Sequence, residues 1–195
     1  NFSELRDTLG HDRLWKLGQA AFQCREKGAF SSFWLAFSKA ASGTDSVWTI
    51  TKQWRRPGEV FMAPIQLTEQ QQTALSSIGI ALLHPSLRSY WNELSKVGVG
   101  ELHLSTIVAA LEACGEDGIP ANNPELRSIW AAISIMIDAS RQRPGFQAAV
   151  KKLAATTFLI DIDGDLVSPE QVWRLPSTAS SARVTRYLPD CPIVH

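Results

Sequence analysis

Four acids crowd one short stretch of this chain, Asp161, Asp163, Asp165 and Glu170, with Gly164 among them, and carboxylates so placed could supply the oxygen ligands of a calcium loop. Setting Gly164 at the sixth position of such a loop puts Asp161 third, Asp163 fifth and Glu170 twelfth. The first position then falls on Leu159, which has no side-chain oxygen to donate, so the cluster reads as a solvated turn. A second group, Lys52, Trp54, Arg55 and Arg56, combines an aromatic face with three cations and could stack on a base and contact phosphates. The reading preferred here puts the tryptophan in a core and the cations in water. His11, His84, His103 and His195 are scattered, with no second histidine at helical ligand spacing. Cys24, Cys114 and Cys191 are too far apart for a paired metal site or a disulfide framework. The chain also lacks a Gly-x-Ser-x-Gly elbow and a phosphate-binding glycine loop with its Lys. No catalysis, cofactor or metal is expected.

The elements that would position these residues follow from composition and periodicity. At 195 residues and 45% hydrophobic, the chain is long enough to bury a core. Its 19 basic residues balance 19 acidic ones, so it has no broad positive field for non-specific nucleic-acid binding. The strongly apolar run Ile129 to Ile137 is well short of the roughly 20 residues needed to span a bilayer. A reducing, cytoplasmic setting is the expectation, with no membrane partner. The chain opens on Asn1 rather than Met and closes on an apolar stretch, which reads as a piece of a larger protein.

Apolar residues at helical intervals predict helices over Asp12 to Cys24 and Phe30 to Ala41. Val47 to Thr51 is β-branched and aromatic; with a Lys52-Gln53 turn and a strand at Val60 to Met62 it makes a hairpin candidate. Thr68 and Gln71 form a capping-box pair that starts a helix at Glu69. Further helices are expected from Pro85 to Lys96, from Ser105 to Cys114, from Pro124 to Ile137 and from Gly145 to Ala155. The helix from Pro124 to Ile137, apolar nearly all round, should be central. Thr157 to Val167 then reads as a second hairpin turning at Asp163-Gly164, closed by a short helix from Pro169 to Arg174.

The two hairpins share their punctuation. Pro57, Val60 and Pro64 recur 112 positions later as Pro169, Val172 and Pro176, and Ile80 to His84 finds a counterpart in Cys191 to His195 at a separation of 111. Such self-similarity means one supersecondary unit used more than once. The expected fold is therefore α+β, mainly α, with helical segments and two small β-hairpins related by an internal repeat. The expected division is 1–64 for the N-terminal helices and first hairpin, 65–176 for a helical unit closed by the second, and 177–195 for the start of a further unit.

Leu166-Val167-Ser168-Pro169-Glu170-Gln171-Val172 after a hairpin, together with Gln53-Trp54-Arg55-Arg56-Pro57-Gly58-Glu59-Val60, resembles the repeat regions of sacsin-like proteins and of related bacterial proteins with an ATPase domain of the ninety-kilodalton heat-shock chaperone type. The resemblance spans roughly Val47 to His195. It implies an accessory scaffold or regulatory segment of a chaperone-like or defence-type ATPase, contacting other domains of its parent chain or a protein partner. The family's Glu and Asn helix, Asp-x-Gly-x-Gly loop and glycine lid are all missing, so no ATP-site residue carries over. The alternative from another class is a nucleic-acid-binding module, either at the Trp54 patch or as a winged helix over Glu69 to Cys114 with Ser105 to Cys114 as its recognition helix.

Overall fold

A computed structural model describes residues 1–114, 125–156, 159–160, 166–171, 173–174 and 193–194. The chain divides into two compact units, Asn1–Ser76 with Ile80–Leu102, and Ser77–Gly79 with His103–His195. These units change at residue 102, in the helical stretch between the hairpins, whereas the division read from the sequence follows the repeated prolines.

The first unit begins with α1 (Phe2–Gln23) and α2 (Ala29–Ser42). α1 starts ten residues before the helix expected from periodicity, because Gly10 takes φ 69° and ψ 173° and joins two helical runs across a kink. The two helices meet at Gly18, which leaves room for the Phe37 ring. Leu14, Trp15, Phe37, Val47, Val60, Leu83 and Leu94 form the centre of the core. The Trp15 indole N–H donates to the buried Ser46 carbonyl (3.1 Å), and the Ser46 hydroxyl donates to the Ala41 carbonyl (2.8 Å), so the exit of α2 is bound to the strand that follows.

The first hairpin is tighter than expected. β1 (Val47–Trp48) pairs antiparallel with β2 (Trp54–Arg55), not with Val60 to Met62. Lys52 adopts a positive φ of 58°, which reverses the chain within a few residues, and Pro57 then opens a 3-10 turn, Pro57–Glu59. β3 (Val60–Met62) is released to become the centre of a parallel three-stranded sheet, between β4 (Ala81–Leu82) and β5 (Gly100–Glu101). α3 (Glu69–Ser77) links β3 to β4, and its capping box forms as expected. The Thr68 N–H donates to Gln71 Oε1 (2.9 Å) and the Gln71 N–H to Thr68 Oγ1 (3.3 Å). Between β4 and β5, the expected helix splits into a 3-10 segment, Pro85–Tyr90, and α4 (Trp91–Val97), which ends at Gly98 in the left-handed region.

The second unit contains α5 (Leu104–Ala113), α6 (Leu126–Ser140) and α7 (Phe146–Ala155). α6 is not buried all round. It turns Leu126, Ile129, Ala132, Ile133, Met136 and Ser140 inward, while Ile135 and Ile137 are half-buried and Arg127 and Asp138 are exposed. After α7, β6 (Leu159–Ile160) pairs antiparallel with β7 (Leu166–Val167). The expected short helix from Pro169 to Arg174 is a single 3-10 turn, Pro169–Gln171, followed by β8 (Trp173–Arg174), which pairs parallel with β9 (Ile193–Val194).

The repeat is structural as well as textual. Each unit runs from helices to a two-stranded antiparallel hairpin, a proline-started 3-10 turn, and a strand with a parallel partner. All four hairpin positions, Val47, Trp48, Trp54 and Arg55, map 112 residues on to Leu159, Ile160, Leu166 and Val167 with the same pairing register. The parallel pair Phe61↔Leu82 becomes Trp173↔Ile193, which combines the separations of 112 and 111 read from the sequence. Within the helices, Leu14 and Leu126, Ala21 and Ile133, Phe37 and Ala149, and Ala41 and Leu153 are buried at equivalent positions. Even the helix exits agree. Thr44 Oγ1 donates to the Ala40 carbonyl and Thr156 Oγ1 to the Lys152 carbonyl, both at 2.8 Å. Pro57 and Val60 are buried, Pro64 and Pro169 half-buried; Gly164, Val172 and Pro176 lie outside the described residues.

Candidate functional site

The densest grouping of polar and aromatic side chains in the first unit forms where the hairpin lies on α1. The kink at Gly10 is followed directly by His11, whose ring stacks on Trp48 at 5.6 Å between centroids with planes 5° apart. Trp54 meets Trp48 edge-on at 5.0 Å. His84 closes the group 5.5 Å from His11, and its Nδ1 accepts from the Ser86 N–H at the start of the 3-10 segment. Arg6, one turn before the kink, lays its guanidinium 5.1 Å from the centre of the Trp54 ring. The same side chain pairs with Asp7 (2.7 Å) and donates to the Asp45 carbonyl (2.6 Å).

Electrostatics follow from these neighbours. Burial holds the His11 imidazole below its ordinary pKa, the nearby His84 adds to that, and Asp12 partly opposes it. The hydrogen bond from Arg6 lowers the Asp7 carboxyl. Tyr90 donates to Asp12 (3.1 Å), and its phenol is pushed up by burial first and by Asp12 second. This is a fastening of aromatic stacking and one cation–π contact, and at its edge His84 Nδ1 lies 2.8 Å from the Ser86 hydroxyl.

Of the residues chosen from the sequence, the structure brings Trp54 into this group and leaves the three cations at its edge. Lys52 is exposed at the tip of the turn. Arg55 is exposed and donates to Gln53 Oε1 (2.9 Å), and Arg56 faces Asp45 at 3.8 Å. Trp54 is half-buried, with Arg6 over its ring. Sequence reasoning missed Arg6, His11 and His84 as partners of the hairpin. Arg6 and His11 come from α1 and His84 from the stretch after β4, and tertiary contact alone brings them to the hairpin.

In the second unit, a groove of about 480 Å³ is walled by His103, Ser105, Ser140, Arg143, Phe146 and Ala149, among others. Arg143 Nη1 donates to His103 Nδ1 at 2.8 Å. Both Leu104 and Phe146 begin helices here without a side-chain cap. Of the acids considered for calcium, Glu170 is exposed and Asp161, Asp163 and Asp165 lie outside the described residues. Among the described residues, no three His, Cys, Asp or Glu side chains converge as a metal would require, and no helix is long and apolar enough to cross a membrane. The run from Glu69 to Leu102 is interrupted by β4 and β5, and α5 opens the second compact unit.

No family model, curated protein or solved structure matches this chain.

Proposed function

We propose that this chain is a non-catalytic scaffold or regulatory repeat segment of a larger chaperone-like or defence-type ATPase, working through contacts with other domains of its parent chain or with a protein partner. The observation that carries the reading is the repeated supersecondary unit. One hairpin, one 3-10 turn and one parallel strand pair occur twice with matching registers. Selection for chemistry fixes a few side chains in one place, whereas selection for an array fixes the frame and lets its surface vary. Here the frame recurs while the hairpin cluster does not: Trp54 corresponds to Leu166, and Arg55 and Arg56 to Val167 and Ser168. The sacsin-like resemblance supplies the kind of parent protein, and it rests on sequence motifs alone.

The nucleic-acid alternative draws less support from the patch. A stacking platform needs an open aromatic face, and the Trp54 ring already carries Arg6 while Arg56 faces an acid. The decisive measurement for the proposal is nucleotide binding by the 195-residue chain, followed calorimetrically with ATP and magnesium. No saturable heat is expected. A saturable signal accompanied by hydrolysis would overturn the reading, and salt-dependent oligonucleotide binding lost in R55A/R56A would replace it.

A further inference from the structure

In the second unit α5 and α7, ten residues each, both begin on the groove of about 480 Å³. A helix start carries backbone N–H groups without an intrahelical partner and the positive end of the helix dipole, and both favour an anion. Neither helix has a side-chain cap, and the Leu104 and Ser105 N–H groups have no hydrogen-bond partner among the described residues. Arg143 brings a cation to the same wall. Because its Nη1 can only donate to His103 Nδ1 (2.8 Å), the neutral His103 ring carries its proton on Nε2. The observation that helix ends alone do not supply is Ser140. It stands on the last turn of α6, lines the groove and is 5% exposed, and its hydroxyl has no hydrogen-bond partner among the described residues. Buried hydroxyls are nearly always bonded, since an unmade bond loses hydration without return. A side chain so enclosed in a groove wall can reach a partner only through the groove.

The repeat separates these groups from the frame. The positions 112 residues before Ser140 and Arg143 are Gly28 and Ser31, so the first unit builds its frame without that hydroxyl or that cation. We propose that the groove binds a small organic carboxylate with an apolar or aromatic body, a site that goes beyond the scaffold reading and does not depend on it. The carboxylate lies among the Leu104 and Ser105 N–H groups, the Ser140 hydroxyl and the Arg143 guanidinium, and the body lies against Leu104, Phe146 and Ala149. The groove falls within the range of about 300–1,000 Å³ common for small-molecule sites, with mostly apolar walls and a few convergent polar groups. One guanidinium matches the single charge of a carboxylate. The several charges of a nucleoside triphosphate would meet that one cation only, in keeping with the absence of ATP binding expected above.

The test uses the full 195-residue chain with hydrocinnamate as probe, binding being followed by backbone amide shifts. The expected result is a saturable response centred on residues 103–106 and 143–149. Hydrocinnamyl alcohol keeps the body and loses the charge, and inorganic phosphate keeps a charge and lacks the body; each should bind about tenfold more weakly than the acid. Arg143→Gln should weaken the acid about tenfold. Ser140→Ala should weaken it about threefold without lowering Tm, because the hydroxyl it removes bonds to nothing described in the free protein. No saturable shifts at millimolar hydrocinnamate, a response confined to the first unit, equal binding of the alcohol, or an undiminished response in a folded Arg143→Gln variant would each overturn the site. Phosphate bound as tightly as the acid would overturn the apolar body, and a lowered Tm with unchanged binding in Ser140→Ala would overturn the place of Ser140 in the site.

Discussion

Replacing Gly18 by alanine tests how closely the two helices of the first unit are joined. A Cβ at this position would stand 2.6 Å from Phe37 Cε1 and 2.8 Å from Cζ, whereas carbon atoms rest at about 3.5–4.0 Å. The ring must therefore retreat by about 1 Å. It has little freedom to do so, since Phe37 packs edge-on against Phe2 and Trp15 at 5.4 and 5.7 Å and lies stacked 6.0 Å from Trp34. Overpacking of this kind costs about 1–3 kcal/mol. The same substitution removes a glycine from a helix interior, which returns about 0.5–1 kcal/mol. The net expectation is a loss of about 1–2 kcal/mol, or a few degrees in Tm for a chain of this length. In a Phe37→Leu background the obstruction is relieved, and Gly18→Ala should become neutral or stabilising. Urea unfolding of the four proteins, monitored by tryptophan fluorescence, gives the coupling directly. A gain of about 1 kcal/mol in the wild-type background, or an equal effect in both backgrounds, would refute the packing argument.

The hairpin cluster makes stability depend on pH. His11 is held below its ordinary value of 6.5, so its contribution is fully present above that pH and is lost as pH falls through the lowered value. Urea midpoints measured from about pH 8 to pH 5 should decline, and His11→Gln should flatten the decline; an unchanged slope would remove His11 from the account. Trp54→Ala takes away the ring between Trp48 and Arg6, and for a half-buried tryptophan we expect a loss of about 2 kcal/mol with faster amide exchange in the first hairpin. Thr44→Val and Thr156→Val each delete a hydroxyl bond to the carbonyl four residues back, and both should cost about 1 kcal/mol in denaturant titrations; a large effect at one position only would show that the two helix exits are not equivalent.

The parts of the fold legible in the sequence were those governed by local chemistry. The Thr68 and Gln71 capping box, the apolar faces of α2 and α7, and the hairpin followed by a proline turn all depend on neighbours a few residues away. The parallel sheet was not legible, because its strands are two or three residues long and no periodicity survives at that length. Val60 to Met62 was assigned to the hairpin for the same reason. Its alternation suits a strand, but choosing a partner needs the positive φ at Lys52, which no residue type announced. The repeat could be read because proline marks backbone geometry rather than surface. The α1 to hairpin cluster could not be read, since His11, Trp48 and His84 come from three separate stretches and meet only after the chain has folded.

The position of β3 bears on how the first unit forms. Both of its partners come later in the chain, about twenty residues on at Ala81 and about forty on at Gly100, and each pairing requires closing the intervening loop. The β1–β2 hairpin closes over only a few residues, on a timescale of about 1–10 μs. During synthesis, Val60 to Met62 therefore emerges with the hairpin complete behind it and neither edge satisfied. Until β4 and β5 arrive, the most vulnerable backbone in this unit is the strand that ends up at the middle of its sheet.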